Sequence, residues 1–458
     1  MDSIKEAFKK QKNYFESLKP LDLERRKLLL QRLKSVIEKH EREIIQALKL
    51  DLGKSQFEAV IAETQFILNE IDYALKKLKK WSKSVKVKSP WAQFPSKSYI
   101  QPMPLGNILI IGPWNYPFQL LISPLVGAIA AGNTAIIKPS EISSHTSKVV
   151  ANLINQNFDP RELLVIEGAV EETTALLECP FNHIFYTGNS TVGRIVMRKA
   201  AENLTPVTLE LGGKSPCLVY DVKNIEVVSD RIVWGKFFNA GQTCVAPDYV
   251  ITSSHLKSTL LKAFKSSIEK FFGVEPSHSN DYGRIINQKH FERLESYLDE
   301  KDILLGGVRT KEERYFSPTV VQASEKSKIM EEEIFGPILP ILIEDDFDNA
   351  LKFIQKRDRP LAAYLFTDNE NFSNRYNEEF ISGGMCINDT IVHLTNDHLP
   401  FGGVGESGMG AYHGETSFRI FSHYKSVMKR GLWLDLPLRY PPYGEKVGFL
   451  RWILKYFG

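Results

Sequence analysis

The chain has 458 residues, of which 43% are hydrophobic and 25% charged, a soluble globular balance. That length exceeds a single core and calls for two or three domains. Its 58 basic and 55 acidic residues leave a net charge of +3, too even to point to nucleic acid. The four cysteines, Cys179, Cys217, Cys244 and Cys386, are too few for a disulfide framework and lack a metal-type spacing. The start MDSIKEAFKKQ has no apolar signal segment, and no apolar run approaches the roughly 20 residues of a membrane span. A reduced, cytoplasmic protein without bound metal is expected.

In chain order, residues 1–84 read as helices. Leu28, Leu29, Leu33, Val36 and Ile37 recur at three- and four-residue steps, followed by Ile44, Ile45 and Leu48. Asp22 suits an N-cap and Gly53 a stop. These helices read as scaffold without chemistry. Residues 85–98, with Pro90 and Pro95, read as a bridging arm. Apolar runs then recur at 107–112, 134–137, 163–166 and 183–186, with helix-like stretches at 118–131 and 144–155 between them. This alternation predicts a doubly wound parallel sheet, a Rossmann-like cofactor domain over residues 1–208. A second α/β cycle follows from about Leu209, with a helix over 228–239, a strand over 249–252, a long helix over 256–272 and a strand over 361–366. It is expected to form a catalytic domain over 209–385. Residues 386–440 return to the first domain and the arm, and 441–458 form an amphipathic tail.

The chemistry concentrates in a few places. Gly241, Gln242 and Thr243 leave the Cys244 sulfur reachable, and Pro247 fixes the backbone after it. That suits a nucleophile, although a buried structural thiol is the commoner fate of a free cysteine. Asn115, between Pro113 and Pro117, can donate to a developing oxyanion or cap the next helix. Lys138 and Glu141, at a strand's carboxyl end, suit ribose hydroxyls. A carboxylate there disfavours a 2′-phosphate, so NAD is preferred over NADP. A capping box led by Ser140 is the alternative. In the turn 186–193, Gly188 and Gly193 keep the outer spacing of a dinucleotide fingerprint, with Asn189 and Ser190 opening a helix toward pyrophosphate. Glu210, between two leucines, has the surroundings of a raised-pKa general base, or else ends a strand in solvent. Glu333 closes the acidic run 331–333. It faces solvent with the rest of the run, or turns inward to ribose with Phe335 against a ring. The glycine-rich loop 399–410 lies near a ligand or threads between domains.

Together these stretches closely resemble the NAD(P)-dependent aldehyde dehydrogenase superfamily, in motif order and over nearly the whole chain. The short N-terminus, Asn115-Tyr116 after Trp114, the Val245–Tyr249 sequence after Cys244 and the segment 410–414 resemble its class 3 branch, which handles fatty and aromatic aldehydes. The resemblance implies that the Cys244 thiolate attacks an aldehyde, that Asn115 and the Cys244 N–H hold the oxyanion, and that hydride transfer leaves a thioester for water to cleave. It puts Glu210 first as the base and Glu333 second. It places Trp114, Lys138, Ser140, Glu141, Gly188, Asn189, Ser190, Gly193, Leu211, Gly212, Glu333 and Phe335 at the cofactor, NAD with NADP as second choice. Tyr116 and Trp234 are placed at the substrate. A homodimer bridged by the arm and by residues 418–430 is implied. A coenzyme A-acylating form, a cysteine hydrolase and an inactive binding protein on this fold are the rival readings. Cys179, Cys217, Cys386, His393 and His413 are read as structural.

The tail departs from a plain soluble member. Phe449, Trp452, Ile453 and Phe457 can share one helical face, flanked by Lys446, Arg451 and Lys455. It is read as a cap on the substrate funnel or a helix docked on its own core or partner, with peripheral membrane contact as the third reading.

Overall fold

The computed structural model describes residues 2–90, 93–435, 439–444 and 446–457. Three of the four sheets among the described residues organise the chain, the fourth being the short pair Arg309–Thr310 and Tyr315–Phe316. The first is six-stranded, in the order Gly408–Met409, Val207–Glu210, His183–Thr187, Asn107–Ile111, Thr134–Lys138 and Leu163–Val165. All neighbours are parallel except the short first strand. Chain order reverses between Asn107–Ile111 and His183–Thr187. A ligand crevice is expected at such a switch point, outside the carboxyl ends of the strands. The continuous apolar runs arise because helices cover both faces: Asn107–Ile111, Thr134–Lys138 and His183–Thr187 are buried throughout.

The second sheet has seven strands, in the order Ile303–Leu305, Thr319–Gln322, Ile338–Ile343, Tyr249–Thr252, Pro216–Val219, Ala362–Phe366 and Gly384–Ile387. Leu209 therefore still belongs to the first sheet, and the crossing to the second lies between Glu210 and Pro216. The boundary expected at residues 385/386 falls inside the strand Gly384–Ile387. The third sheet is the arm. Val85–Val87 and Ser422–Arg430 pair antiparallel on either side of Ser96–Pro104. The arm runs six residues past the expected end at Ser98, because Ser422–Arg430 pairs along all of Ser96–Pro104.

The N-terminal helices follow their sequence signals. Asp22 accepts from Arg25 N at 3.0 Å to open Leu23–Leu52, and Gly53 closes it at φ 62°. Leu30, Leu33, Ile37, Ile44 and Leu48 form its fully buried stripe. The helix Gln119–Ala131 is buried on every side, including Pro124. The glycine-rich loop threads back to the first sheet, where Gly408 pairs with Glu210.

One buried carboxyl gives the fold a pH dependence. Burial raises Glu70, on Gln65–Trp81, from an ordinary 4.5 to about 8, against a contact with Ser123 that lowers it. Between those values the folded chain keeps a proton that the unfolded chain has lost. Stability therefore falls as pH rises through that window, by up to about 1.4 kcal/mol per pH unit. Glu70→Gln removes this dependence. Its Tm relative to the parent is expected to improve from about pH 5.5 to about pH 8 by calorimetry, and a pH-independent difference would contradict this.

Candidate active site

Two loops meet at the switch point. One leaves the strand Asn107–Ile111 and carries Trp114, Asn115 and Tyr116. The other follows the helix Ile225–Phe237 and carries Cys244. Asn239, Ala240 and Gly241 take left-handed backbone angles in succession, at φ 53°, 52° and 74°. A side chain at 241 would collide with the Gly336 carbonyl, so glycine is required there. Two non-glycine residues held this way store strain of roughly 1–3 kcal/mol each, which the surroundings must offset. The Asn239 N–H donates to Glu58 at 3.2 Å. Gln242 Nε2 donates to Arg284 O at 2.9 Å, and its Oε1 accepts from Ile286 N at 2.9 Å.

The loops are tied to each other. Asn115 Nδ2 donates to Gln242 O at 3.0 Å. Asn239 Nδ2 donates to Asn115 O at 2.9 Å and to Gln242 O at 3.2 Å. The Tyr116 hydroxyl lies 2.6 Å from Thr243 Oγ1. Within residues 241–250 only Cys244 escapes full burial. Burial, followed by the charges of Glu333 and Glu210, pushes its thiol well above the usual range. Burial and the two neighbouring carboxyl groups both favour the protonated thiol.

Glu210 ends its strand buried, and neither carboxyl oxygen has a hydrogen-bond partner among the described residues. Burial alone drives its pKa far upward. The solvent-facing alternative is corrected here, because the returning strand Gly408–Met409 covers Glu210. Glu331 and Glu332 are exposed while Glu333 turns inward. Its carboxylate accepts from the Gly213 N–H and lies against Gly212, where a side chain would strike it. Burial, then Asp248, raises Glu333 to about 8.

The residues expected at the cofactor lie at or after the carboxyl ends of the first sheet's strands and in the turn 333–335. Lys138 is buried and donates to Pro139 O at 2.7 Å, with the exposed Glu141 at 3.7 Å. Ser140 does not cap the next helix. Its hydroxyl accepts from Ile142 N, and Ser143 holds the N-cap position of Ser144–Asn155. A cavity of about 170 Å³ lies here among Pro139, Glu141, Ser144, Ser147, Glu167 and Gly168. Asn189 accepts from Val192 N at 2.9 Å and caps Ser190–Glu202. A side chain at Gly193 would strike Leu211. Trp114 packs edge-on to Phe335 at 5.3 Å. An open helix N-terminus, a groove at strand ends and a buried ammonium fit a dinucleotide.

The family model for the aldehyde dehydrogenase family matches residues 1–427. The chain belongs to the aldehyde dehydrogenase family. It is an NAD(P)-dependent oxidoreductase acting on aldehydes. Family 3 members match it at 43–48% identity. It is 47% identical to the 4,4'-diaponeurosporen-aldehyde dehydrogenase of Staphylococcus aureus, over 99% of this chain and 100% of that one. It is 44% identical to the dimeric NADP-preferring aldehyde dehydrogenase of Rattus norvegicus, over 98% of this chain and 99% of that one. A solved structure of Staphylococcus aureus AldH in a substrate-bound state superposes with a TM-score of 0.97, at 46% identity, covering 98% and 99% of the two chains.

In this aldehyde dehydrogenase, polar residues that the sequence did not single out are buried around the Asn115 and Cys244 loops. Lys54, Glu58 and Glu63 are buried charges in the supposed scaffold, and Asn239 and Gln242 brace the cysteine loop. The exposed Gln56, Phe57 and Ile61 lie between these buried charges. The four-residue helix Gln56–Ala59 and the π-turn Val60–Thr64 break the helical period there, so spacing could not show which charges face inward. The described helices include none long and apolar enough to cross a membrane.

Proposed function

We propose that Cys244 is the nucleophile of an oxidation that turns lipophilic aldehydes into carboxylic acids. Asn115 Nδ2 and the Cys244 N–H receive the oxyanion as the sulfur adds to the carbonyl. The thiol proton passes to a neighbouring carboxylate. Bound NAD(P)+ supplies the hydride acceptor. The resulting Cys244 thioester is cleaved by water that Glu210 deprotonates, with Glu333 second as base. Trp114, Lys138, Ser140, Glu141, Gly188, Asn189, Ser190, Gly193, Leu211, Gly212, Glu333 and Phe335 hold the cofactor, and Glu141 favours NAD. The retained Glu210 argues against release of the acyl group to coenzyme A.

The observation that carries the lipophilic substrate is a separate apolar cluster tied to Thr243, the residue before Cys244. Tyr116, Leu120 and Phe238 form it, with Trp234 and Ala62 packed against them. The Tyr116 hydroxyl is engaged by Thr243, which leaves its ring packed in this cluster. The name of the staphylococcal relative, an aldehyde dehydrogenase for 4,4'-diaponeurosporen-aldehyde, agrees with an apolar substrate. The test is a panel of aldehydes of rising chain length, with an aromatic and a polyene member, run with NAD and NADP side by side. kcat/KM is expected to rise with apolar length and to be higher with NAD. A profile flat in chain length would reject the lipophilic reading, and coenzyme A-dependent NADH formation would favour the acylating one.

The tail belongs to the same proposal. Val447, Phe449, Leu450, Trp452 and Tyr456 are exposed on the helix Lys446–Phe457. The side chains of Ile453 and Phe457, which the spacing put on this face, lie outside the described residues. An apolar face this large calls for a partner surface. The preferred reading is a cap over a substrate funnel or a docked helix, with peripheral membrane contact second. Deleting residues 447–458 is expected to raise KM for long aldehydes more than for short ones. Equal effects on both would sink the cap. A homodimer is part of the proposal too, since Ser422–Arg430 forms an edge of its sheet. Light scattering reads it directly, and a monomeric mass would reject it.

A further inference from the structure

Asn115 sits in a turn whose two ends are held by one buried ion pair. Lys54 and Glu63 are both fully buried, and Lys54 Nζ lies 2.5 Å from Glu63 Oε1. Lys54 also donates to Asn115 O at 3.3 Å and lies 4.2 Å from the centre of the Tyr116 ring. The second oxygen of Glu63 accepts from Phe118 N at 3.1 Å and from Gln119 N at 2.8 Å. Those N–H groups open the helix Gln119–Ala131 and have no partner within it. The pair therefore grips the turn by a carbonyl at one end and two amides at the other. Asn239 holds the same Asn115 carbonyl from the cysteine loop.

Stability is a poor reason for such a pair. Two buried charges lose their hydration, and well-packed apolar residues stabilise a core as well or better. Direction is a better one. An oxyanion donor works only when its N–H points at the position about 3 Å away where charge develops. Among the described residues, besides this grip, Asn115 is held only by Asn239 on its carbonyl and by its own amide hydrogen bond to Gln242 O, both from the cysteine loop. Glu63 reaches the turn from the π-turn Val60–Thr64, an irregularity that is frequent at functional sites.

We infer that Lys54 and Glu63 form a positioning pair that aims the Asn115 amide at the oxyanion that develops when Cys244 adds to the carbonyl. This rests on the reading of Asn115 as oxyanion donor. Neither residue touches substrate. Both act through the backbone of the turn.

Four variants test it: Lys54→Met, the double variant Lys54→Met/Glu63→Gln, which leaves neither member of the pair charged, Asn115→Ala, and Lys54→Met combined with Asn115→Ala. For each, kcat and KM for an aldehyde, the Kd of NAD, and the rate of Cys244 alkylation by iodoacetamide are measured. Alkylation needs the thiolate but no oxyanion donor. Lys54→Met and the double variant are expected to lose about 10- to 100-fold in kcat, with alkylation rate and Kd held within about two-fold. Adding Asn115→Ala to Lys54→Met is expected to cost little more, because both act on one interaction. A kcat within about two-fold of the parent in the double variant would overturn the inference. So would alkylation falling in step with kcat, or failure of the double variant to fold, since each marks a purely structural pair. If Asn115→Ala itself leaves kcat unchanged, the oxyanion reading is what fails. If it lowers kcat while Lys54→Met and the double variant do not, only the positioning pair fails.

Discussion

Cys244→Ala is expected to reduce aldehyde oxidation by a factor on the order of 10⁴ or more, while NAD still binds. Both halves follow from the arrangement of the loop. The three left-handed residues at 239–241 turn the chain so that Cys244 alone of residues 241–250 keeps exposure. Without the sulfur the aldehyde carbon has no covalent attachment. It is then a poor hydride donor, however well it is bound. No other cysteine can take over. Cys217 is fully buried in the second sheet, and Cys179 is buried among the apolar residues of the first. Cys386 is buried against His393, 3.3 Å from its Nδ1. Cys179→Ala is therefore the control, expected to keep kcat within about two-fold. NADH formation reads the loss, and isothermal titration with NAD shows that the cofactor groove survives. Residual turnover above about 1% of the parent in Cys244→Ala would remove the thiol from the mechanism.

The sequence made the two α/β cycles readable because helices bury both faces of each sheet. Runs such as 107–111 and 183–187 are then buried at every position and carry unbroken apolar stretches, Ile108–Ile111 and Ile184–Tyr186. Cys244 and Asn115 stood out as candidates for a different reason. Short stretches of glycine, proline and small polar residues around a reactive type cannot be explained by packing. The setting of Glu210 was half legible. Its flanking leucines suggested burial, but the strand Gly408–Met409 that covers it arrives from about 200 residues away. The arm's true length depended on the same kind of distant partner, Ser422–Arg430. Lys54, Glu58 and Glu63 were the clearest miss. A charge in a helical segment ordinarily means a solvated face. Here the segment reaches under two catalytic loops, and only the folded arrangement shows backbone groups waiting there for charged partners.

Glu210→Gln is expected to separate the two halves of the reaction. The amide preserves the shape of a side chain that has no hydrogen-bond partner among the described residues, so the fold should tolerate it. It cannot accept a proton from water. The first turnover should still release about one NADH per site, as a burst, because thioester formation does not require a base for water. Steady-state acid production should then fall by about 10²- to 10⁴-fold. Glu333→Gln provides the contrast. Its carboxylate lies against Gly212 and accepts from Gly213, on the side of the groove assigned to the cofactor. Its loss should slow the first turnover as well as the steady state.

The pH profile distinguishes the two carboxyls further. A base works in its ionised form, so kcat rises with pH through the pKa of the base. Glu333 is raised to about 8, whereas Glu210 is raised by burial alone with no charge nearby to lower it. With Glu210 as base, the rise continues to more alkaline pH until bound substrate or water admits solvation to the carboxyl. With Glu333 as base, the rise is centred near 8, survives Glu210→Gln and vanishes in Glu333→Gln. Unchanged steady-state turnover in Glu210→Gln, together with that profile, would transfer the deacylating proton to Glu333.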